Sequence, residues 1–146
     1  MFSKATEYAI RATIYIAQKG NIDNKIGINE ISTSIDSPQH FTAKILQILS
    51  KKNQIISSTR GPNGGFYMSS KALKLPVRAI LKAMNEDTVL EKCVIGLNKC
   101  SEIKPCPLHK QYKLIKLQLI QLFENKSIEE LAEEMKDGKL YITNKK

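Results

Sequence analysis

Three cysteines and a histidine lie within a short segment of this chain, and together they could bind a metal. They are Cys93, Cys100, Cys106 and His109, and they include every cysteine of the sequence and one of its two histidines. Thiolates are the usual ligands of iron–sulfur clusters, and an imidazole can replace one of them. Cys106 and His109 are three positions apart, so both side chains would project to one side of a first helical turn. The segment therefore predicts a metal site, with an iron–sulfur cluster as the favoured occupant.

Two other chemistries of these thiols stay open. Zinc accepts three cysteines and a histidine, but zinc ligands usually come in closely spaced pairs, and only Cys106 and His109 have such spacing. Free thiols could instead act as a redox switch. A disulfide framework is disfavoured, because three is an odd number of cysteines and the N-terminal segment lacks the pattern of a signal peptide. We therefore expect a cytoplasmic protein with reduced thiols.

The charge of the chain favours a polyanionic partner. Its 146 residues carry 23 Lys and Arg against 14 Asp and Glu, a formal net charge of +9. Such an excess attracts nucleic acid or an anionic membrane surface. No stretch approaches the roughly 18 apolar residues that cross a bilayer, so a membrane partner is not expected. The chain also lacks paired catalytic carboxylates, a Gly-x-Ser-x-Gly motif and a P-loop, so we expect it not to be an enzyme.

The first half of the chain predicts a winged helix-turn-helix. Apolar residues at helical spacing predict a first helix between Ser3 and Gly20, and a second, short helix begins after Gly27. After a turn of only two residues, "DS", a third helix begins at "SPQHF", with Ser37 as its N-cap and Pro38 in its first turn. Two β-type segments, 54–58 and 66–70, flank a connection rich in Gly, Pro and Asn, which predicts a hairpin. The predicted fold class is mainly α with a small β-hairpin wing, the winged helix-turn-helix domain occupying residues 1–73.

The third helix and the hairpin are the predicted DNA-binding elements. The second helix of a helix-turn-helix pair enters the major groove with its N-terminal residues against base edges. Gln39 and His40 can offer hydrogen bonds there, and Lys44 can reach guanine or phosphate. Arg60, at the base of the hairpin connection, suits a narrow minor groove. The predicted DNA-contacting residues are Ser37, Pro38, Gln39, His40, Thr42, Ala43, Lys44, Arg60, Pro62, Asn63 and Gly64.

The second half, residues 74–146, is predicted to hold a fourth helix that opens at Leu75, the cysteine segment, and a dimerisation helix that starts at Pro107. A helix that is apolar on two faces needs a second covering surface, which a symmetric partner chain supplies; packing on its own domain is the alternative. Ser127 is a predicted cap of a last short helix, and the tail from 139 onward is expected to be loose. The coiled-coil seam of the dimerisation helix is Leu108, Tyr112, Ile115, Leu119 and Leu122, flanked by Leu114, Leu117, Ile120 and Phe123.

Several segments resemble the Rrf2 family of winged-helix transcriptional regulators. The resemblance runs from "SKATEYAIRA" through "FTAKILQIL" and "RGPNGGF" to the cysteine segment and the long helix, which is nearly the whole chain. It implies a homodimer, joined through the helix at 107–124, that binds a pseudo-palindromic operator in double-stranded DNA. In many members three cysteines at this place hold an iron–sulfur cluster that changes operator affinity, and other members lack these cysteines.

The resemblance also bears on the cluster and its fourth ligand. A 2Fe–2S cluster is favoured over 4Fe–4S, and it could be lost on purification. His109 matches the ligand set of some members, whereas Glu7 matches the position at which others offer an acidic ligand from the second subunit. In the family, five residues usually separate each cysteine from the next. This chain has six residues between Cys93 and Cys100 and five between Cys100 and Cys106.

The function implied is a DNA-binding repressor that senses iron–sulfur, redox or nitric-oxide status through the cluster. The alternative is a winged-helix regulator of the same family without a cluster. Such a protein would respond to a partner protein, a metabolite or thiol oxidation.

Overall fold

The computed structural model describes residues 1–51 and 54–144. Within these residues the protein is mainly helical, with one two-stranded antiparallel hairpin, so the predicted fold class is confirmed. The helices are α1 (Lys4–Lys19), α2 (Ile28–Ser34), α3 (Gln39–Ser50), α4 (Ser70–Leu73), α5 (Arg78–Ala83), α6 (His109–Asn125) and α7 (Ile128–Glu134). The strands are β1 (Ser57–Thr59) and β2 (Gly65–Tyr67), and a 3-10 turn spans Asp87–Leu90.

The first helix, α1, begins and ends where its sequence predicts. The Ser3 side chain accepts a hydrogen bond from the Thr6 N–H and caps the first turn, and Gly20 follows the last turn. Ala9, Ala12 and Ile16 are fully buried. The apolar stripe that predicts the helix is therefore also the surface that packs into the core.

The turn between α2 and α3 is longer than predicted. Helix α2 follows Gly27 as expected, but Pro38 rather than Ser37 is the N-cap of α3. The Ser37 hydroxyl is hydrogen-bonded to the Thr42 hydroxyl instead of capping the helix. Asp36 has a φ of 54°, so the chain turns here through the left-handed region. Residues 35–38 thus join the two helices in place of the predicted pair.

The hairpin starts later in the chain than predicted. The predicted first strand contains Ile55 and Ile56, but both side chains are buried in the core and both N–H groups donate to the Leu49 carbonyl. Strand side chains alternate between faces, so two consecutive residues in one core do not fit a strand, and β1 begins at Ser57. Phe66 of β2 exchanges two backbone hydrogen bonds of 2.8 Å with Ile26, which anchors the hairpin to the segment before α2.

The predicted fourth helix starts later, and a single-turn helix that sequence reasoning missed precedes it. Ser69 caps that turn, α4, by accepting from the Ala72 N–H. The chain then pairs with a distant segment, because the Val77 N–H donates to the Lys126 carbonyl over 2.9 Å and the Ile128 N–H to the Leu75 carbonyl over 3.0 Å. Helix α5 therefore begins at residue 78 rather than at 75.

A single hydrophobic core extends over both halves of the described chain. It contains Ile16 of α1, Ile45 of α3, Ile80 of α5 and Ile128 of α7. Helix α7 packs along α1 and so brings the C-terminal end of the chain back to its beginning. Residues on both sides of the predicted boundary at 73/74 contribute to this core, and the division into two domains stays a prediction.

The C-terminal segments differ in how they pack. Helix α6 begins at His109, two residues after the predicted start, and His109 is the only residue of this fully described helix that is buried. Ser127 caps α7 by accepting from the Glu130 N–H, as predicted. The tail was expected to be loose, but Ile142 packs against the core. No helix in the described part of the chain is long and apolar enough to span a membrane.

Candidate DNA interface and cysteine loop

The N-terminal turns of α3 present most of the predicted DNA-contacting residues to solvent. Pro38, Gln39, His40 and Lys44 are exposed, and Ser37 and Ala43 are half-buried. The side chains available on this surface are thus an amide, an imidazole and an ammonium group. These groups can donate hydrogen bonds to base edges and phosphates.

Thr42 is a correction to the predicted set. Its side chain is fully buried, and its hydroxyl donates to the Pro38 carbonyl over 2.9 Å and is bonded to the Ser37 hydroxyl. It points into the helix-turn-helix because it lies three positions before Ile45, on the buried side of α3. Thr42 therefore stabilises the turn and does not face DNA.

Two further polar residues of α3 belong to the exposed surface and were missed by sequence reasoning. Gln47 and Lys51 are exposed and, with Ala43, line a groove of about 520 Å³ between α3 and the hairpin, here called the α3–hairpin groove. The missed signal was helical spacing, since Ala43, Gln47 and Lys51 are four residues apart and share one side of the helix.

The hairpin connection lies on the other side of the α3–hairpin groove. Arg60, Pro62 and Asn63 are exposed and Gly64 is half-buried, and Arg60 lines the groove itself. A Cβ at Gly64 would lie 2.4 Å from the Thr59 carbonyl oxygen, so the turn closes only with glycine at this position.

Helix α1 holds the helix-turn-helix through an aromatic and cationic contact. The Tyr8 ring meets the Phe41 ring of α3 edge to face, with centroids 5.6 Å apart. The Arg11 guanidinium lies 4.7 Å from the Tyr8 centroid and donates to the Ile35 carbonyl over 3.0 Å. Because one side of α1 contacts both the turn and the start of α3, the orientation of α3 is fixed by packing.

The cysteine loop, which we define as residues 91–108, contains Cys93, Cys100 and Cys106. Cys93 is near its start and is buried. A hydrogen bond from the Ile95 N–H lowers the pKa of the Cys93 thiol most; burial acts in the opposite direction. The Leu97 N–H, the Cys106 side chain and the Gly96 N–H add to the lowering of this pKa. The backbone here therefore favours the thiolate, which is the form that binds metals.

Two candidate ligands, Cys100 and His109, are in direct contact. The Cys100 sulfur lies 3.4 Å from Nδ1 of His109, and Nε2 of His109 lies 3.3 Å from a Glu102 carboxylate oxygen. Glu102 also forms an ion pair with Lys113, and this lysine first and His109 second lower the pKa of the Glu102 carboxyl. Cys106 lies before the first turn of α6, because Leu108 is the N-cap and the helix begins at His109.

Of the four candidate ligands, Cys100 and His109 are in direct contact, and the Cys106 side chain helps to lower the pKa of the Cys93 thiol. Within residues 1–51 and 54–144, no group of three or more His, Cys, Asp or Glu is arranged to hold a metal ion. Glu7, the alternative fourth ligand, lies in the first turn of α1 with its side chain exposed.

Ionic contacts tie the cysteine loop to the helices around it. Arg78 of α5 is paired with Glu91 at the start of the loop, 3.2 Å away, and with Glu124 of α6. Just before the 3-10 turn, Glu86 accepts hydrogen bonds from the Ser3 N–H over 3.0 Å and from the Thr6 hydroxyl over 2.6 Å. These contacts link the segment that leads into the loop to α5 and to the N-terminus of α1, and they link α5 to α6.

Known proteins resemble this chain over most of its length. The model of the Rrf2 family, described as "Iron-dependent Transcriptional regulator", matches residues 2–134. A protein of Aquifex aeolicus (strain VF5), classed among HTH-type transcriptional regulators, is 30% identical over 133 residues that cover 90% of each chain. The HTH-type transcriptional regulator NsrR of Oceanobacillus iheyensis is 25% identical over 129 residues, 88% of this chain and 86% of its own.

A solved structure has the same fold. CymR, the global cysteine regulator of B. subtilis, has a TM-score of 0.74 to this chain at 15% identity, covering 92% of this chain and 98% of its own. The matched family and relatives are transcriptional regulators rather than enzymes, which confirms that prediction. Because the family match spans nearly the whole sequence, the chain belongs to the Rrf2 family of DNA-binding transcriptional regulators.

Proposed function

We propose that this regulator is a homodimeric repressor that senses iron–sulfur, redox or nitric-oxide status through a cluster bound by Cys93, Cys100, Cys106 and His109. The observation that carries the proposal is the contact between the Cys100 sulfur and Nδ1 of His109, 3.4 Å apart, within the same short segment as Cys93 and Cys106. Three thiols and an imidazole have the donor chemistry that an iron–sulfur cluster needs. A bound cluster would supply a centre that gains or loses an electron or reacts with oxidants.

The chain's own residues support such a site in two ways. The backbone N–H groups around Cys93 lower the pKa of its thiol, so a thiolate ligand is favoured. The Glu102 carboxylate lies beside Nε2 of His109 while Nδ1 faces Cys100, so Nδ1 is the nitrogen on the side of the thiol ligands. Among the described residues no three such groups are arranged to hold a metal, so ligation through all four donors requires the cysteine loop to move.

A change in the loop has physical routes to the DNA-binding elements. Glu91, two residues before Cys93, is held by Arg78 of α5, and Glu86 is bonded to the first turn of α1. Helix α1 in turn contacts α3 through Tyr8 and Phe41. We infer that the state of the cluster alters operator affinity by shifting α1 and with it α3.

Dimerisation is supported by the exposed apolar surface of α6. Leu114 is 65% exposed, Ile115 52% and Leu122 56%, although all three lie on a helix that begins next to the core. Phe123, from the predicted flank, packs on its own core instead. Exposed leucine and isoleucine along one helix favour a partner helix of the same kind, as in a coiled coil.

The test of the DNA-binding part is mutation of a surface residue on the hairpin. Arg60→Ala should weaken binding to a pseudo-palindromic duplex by about 1–3 kcal/mol, the scale of one groove contact. Lys82→Ala on α5, an exposed lysine that does not line the α3–hairpin groove, is the matched control. Fluorescence anisotropy of both variants checks the expectation, and equal affinity for the two would remove the hairpin from the interface.

The test of the sensor is reconstitution under anaerobic conditions, followed by assays of iron, sulfide and visible absorbance. Ala at Cys93, Cys100 or Cys106 should abolish the absorbance and leave the helical circular dichroism unchanged. His109→Cys should keep the colour and lower the reduction potential, since thiolate replaces a neutral nitrogen. Loss of iron on Glu7→Ala with retention on His109→Ala would assign the fourth ligand to Glu7 of the second subunit. Full iron content in the triple Ala variant, or uptake of zinc alone, would contradict the proposal.

A cluster-free thiol regulator is the second candidate, and one contact favours it. The Cys100 sulfur is 3.4 Å from His109 Nδ1, a distance at which the imidazole can accept the thiol proton. In that case the purified protein contains no iron, and an electrophile such as iodoacetamide labels Cys100 faster in the wild type than in His109→Ala.

A further inference from the structure

The α3–hairpin groove combines an apolar interior with a polar and cationic edge. The less exposed residues that line it include Ile28, Leu46 and Phe66, all apolar. The groove has a volume of about 520 Å³ and lies between α3 and the strand β1.

The exposed residues of the same groove provide hydroxyl and cationic groups. Ser58 and Thr59 of β1 are exposed on one side, and Lys51 at the end of α3 is exposed on the other. Arg60 lies next to Thr59, where the chain leaves the strand. Among the described residues that line the groove none is acidic, so its electrostatic preference is for an anion.

Resting on the proposed DNA binding, we propose that this groove seats one sugar–phosphate unit of the operator backbone, with Lys51 as the cation that binds the phosphate. The deoxyribose contacts the apolar residues, and the hydroxyls of Ser58 and Thr59 donate to phosphate oxygens, as such side chains commonly do. Lys51 suits this role because an ammonium on a flexible stem acts as a point charge toward phosphate.

The position of the groove in the fold agrees with this assignment. Helix α3 is the element that enters the major groove, and Arg60 on the hairpin reaches toward the adjacent minor groove. A sugar–phosphate backbone separates these two grooves of the duplex, so one strand must pass between the helix and the hairpin. The α3–hairpin groove is the space between them.

A phosphate contact and a base contact leave different signatures in binding data. Loss of a phosphate contact weakens binding to all sequences alike and makes the salt dependence less steep, whereas loss of a base contact weakens only the specific complex. We therefore expect Lys51→Ala to lose affinity equally for an operator duplex selected by the wild type from a random pool and for an unrelated duplex of the same length. The slope of log K against log salt should become less steep by about one for each bound protomer.

The magnitude of this effect follows from counterion release. Between about 50 and 200 mM salt, the ratio of the Kd of Lys51→Ala to that of the wild type should narrow about threefold per protomer. Lys82→Ala on α5 is the matched control, with an exposed lysine that does not line this groove. Circular dichroism should be unchanged in both variants because both lysines are exposed.

A duplex series in which single phosphates are replaced by neutral methylphosphonates identifies the contact directly. At the phosphate seated in the groove, neutralisation should weaken the wild type more than Lys51→Ala, which has already lost the cation that binds this phosphate. The phosphate contact is contradicted if Lys51→Ala binds DNA as tightly as Lys82→Ala, or if it loses affinity for the operator only. It is also contradicted if every neutralised phosphate weakens binding by Lys51→Ala as much as binding by the wild type. If the wild type binds neither duplex, the proposed DNA binding itself fails.

Discussion

Single residues decide how the helix-turn-helix is held, and Thr42 is the clearest case. Its burial and its two hydroxyl contacts assign it to the turn between α2 and α3, although its place in the sequence suggested a base contact. A position in the first turn of a DNA-binding helix therefore does not by itself make a residue exposed. The side of the helix on which it lies decides its role.

Thr42→Val should lower the free energy of unfolding by about 1 kcal/mol and leave operator affinity unchanged. Valine keeps the volume but removes the hydroxyl that bonds the Pro38 carbonyl and the Ser37 side chain. Urea denaturation and anisotropy measure the two effects. Thr88→Val, at an exposed threonine of the 3-10 turn, is the control and should leave the stability near that of the wild type. A large loss of operator affinity in a folded Thr42→Val protein would restore Thr42 to the interface.

Glu86 is a second residue whose contacts have a measurable consequence. Hydrogen bonds from Ser3 and then Thr6 lower the pKa of its carboxyl below the ordinary value of 4.5. A carboxyl whose pKa is lower in the folded state stabilises the protein at pH above its unfolded value, and the stabilisation is lost as the pH falls through the folded-state pKa.

The stability of Glu86→Gln should therefore fall less than that of the wild type as the pH is lowered from about 6 to about 3, and the two should converge at the acid end. Urea denaturation across this range measures the difference. Asp23→Asn, at an exposed carboxylate, is the matched control. Parallel pH profiles for the wild type and Glu86→Gln would show that the contact with α1 does not stabilise the folded protein.

At the scale of elements, the anchor that holds the hairpin to the segment before α2 depends on Gly65, where two backbones meet. Gly65 has a φ of +146°, and a Cβ there would lie 2.9 Å from the Ile26 carbonyl oxygen. That carbonyl accepts the Phe66 N–H, which anchors β2 to the segment before α2. Little space remains for adjustment, because the Ile26 side chain is buried.

Gly65→Ala should destabilise the protein by about 1–3 kcal/mol and weaken DNA binding, since both the backbone strain and the clash act on the hairpin anchor. Gly27→Ala is the control, because no atom lies within 4 Å of a Cβ at that position. Thermal unfolding and anisotropy test the pair. If Gly65→Ala and Gly27→Ala were equally stable, the hairpin would accommodate the added Cβ at position 65 by moving, with no loss of folding free energy.

Helix α6 is the element whose exposed apolar face predicts the oligomeric state. Replacing Ile115 and Leu119 with Lys would bury two charges in a hydrophobic interface, which costs several kcal/mol and should give monomers. Gln121→Lys, at an exposed polar position outside the predicted seam of α6, should leave the dimer intact. Sedimentation at micromolar concentration distinguishes these outcomes. A wild-type protein that sediments as a stable monomer would contradict both the dimer and the palindromic operator.

At the scale of the whole molecule, the net charge of +9 governs how binding responds to salt. A dimer that contacts several phosphates releases counterions, so log K should fall steeply and linearly with log salt, by about 0.9 per phosphate contact. Anisotropy with a selected operator and an unrelated duplex, each at several salt concentrations, measures the slope. An affinity that stays flat between low and moderate salt would contradict the electrostatic contribution.

The sequence predicted correctly those elements whose caps and apolar periodicity involve residues close together in the chain. The caps at Ser3, Gly20, Gly27 and Ser127 and the buried stripe of α1 agree with the structure. Capping and helical periodicity depend on residues within a few positions of each other, which is why a sequence contains them. The resemblance to the Rrf2 family likewise rests on short motifs, and the family match over residues 2–134 confirms it.

Tertiary structure decided what depends on residues far apart in the chain. Backbone pairing of Val77 with Lys126 delays the start of α5, and burial of Ile55 and Ile56 displaces the first strand of the hairpin. The cysteine loop gives the same result, since its sequence supplied three thiols and an imidazole, whereas packing decided that Cys100 contacts His109 and that Cys93 is buried. Contacts of this kind follow from how the whole chain packs into one core, and no local pattern of residue types specifies them.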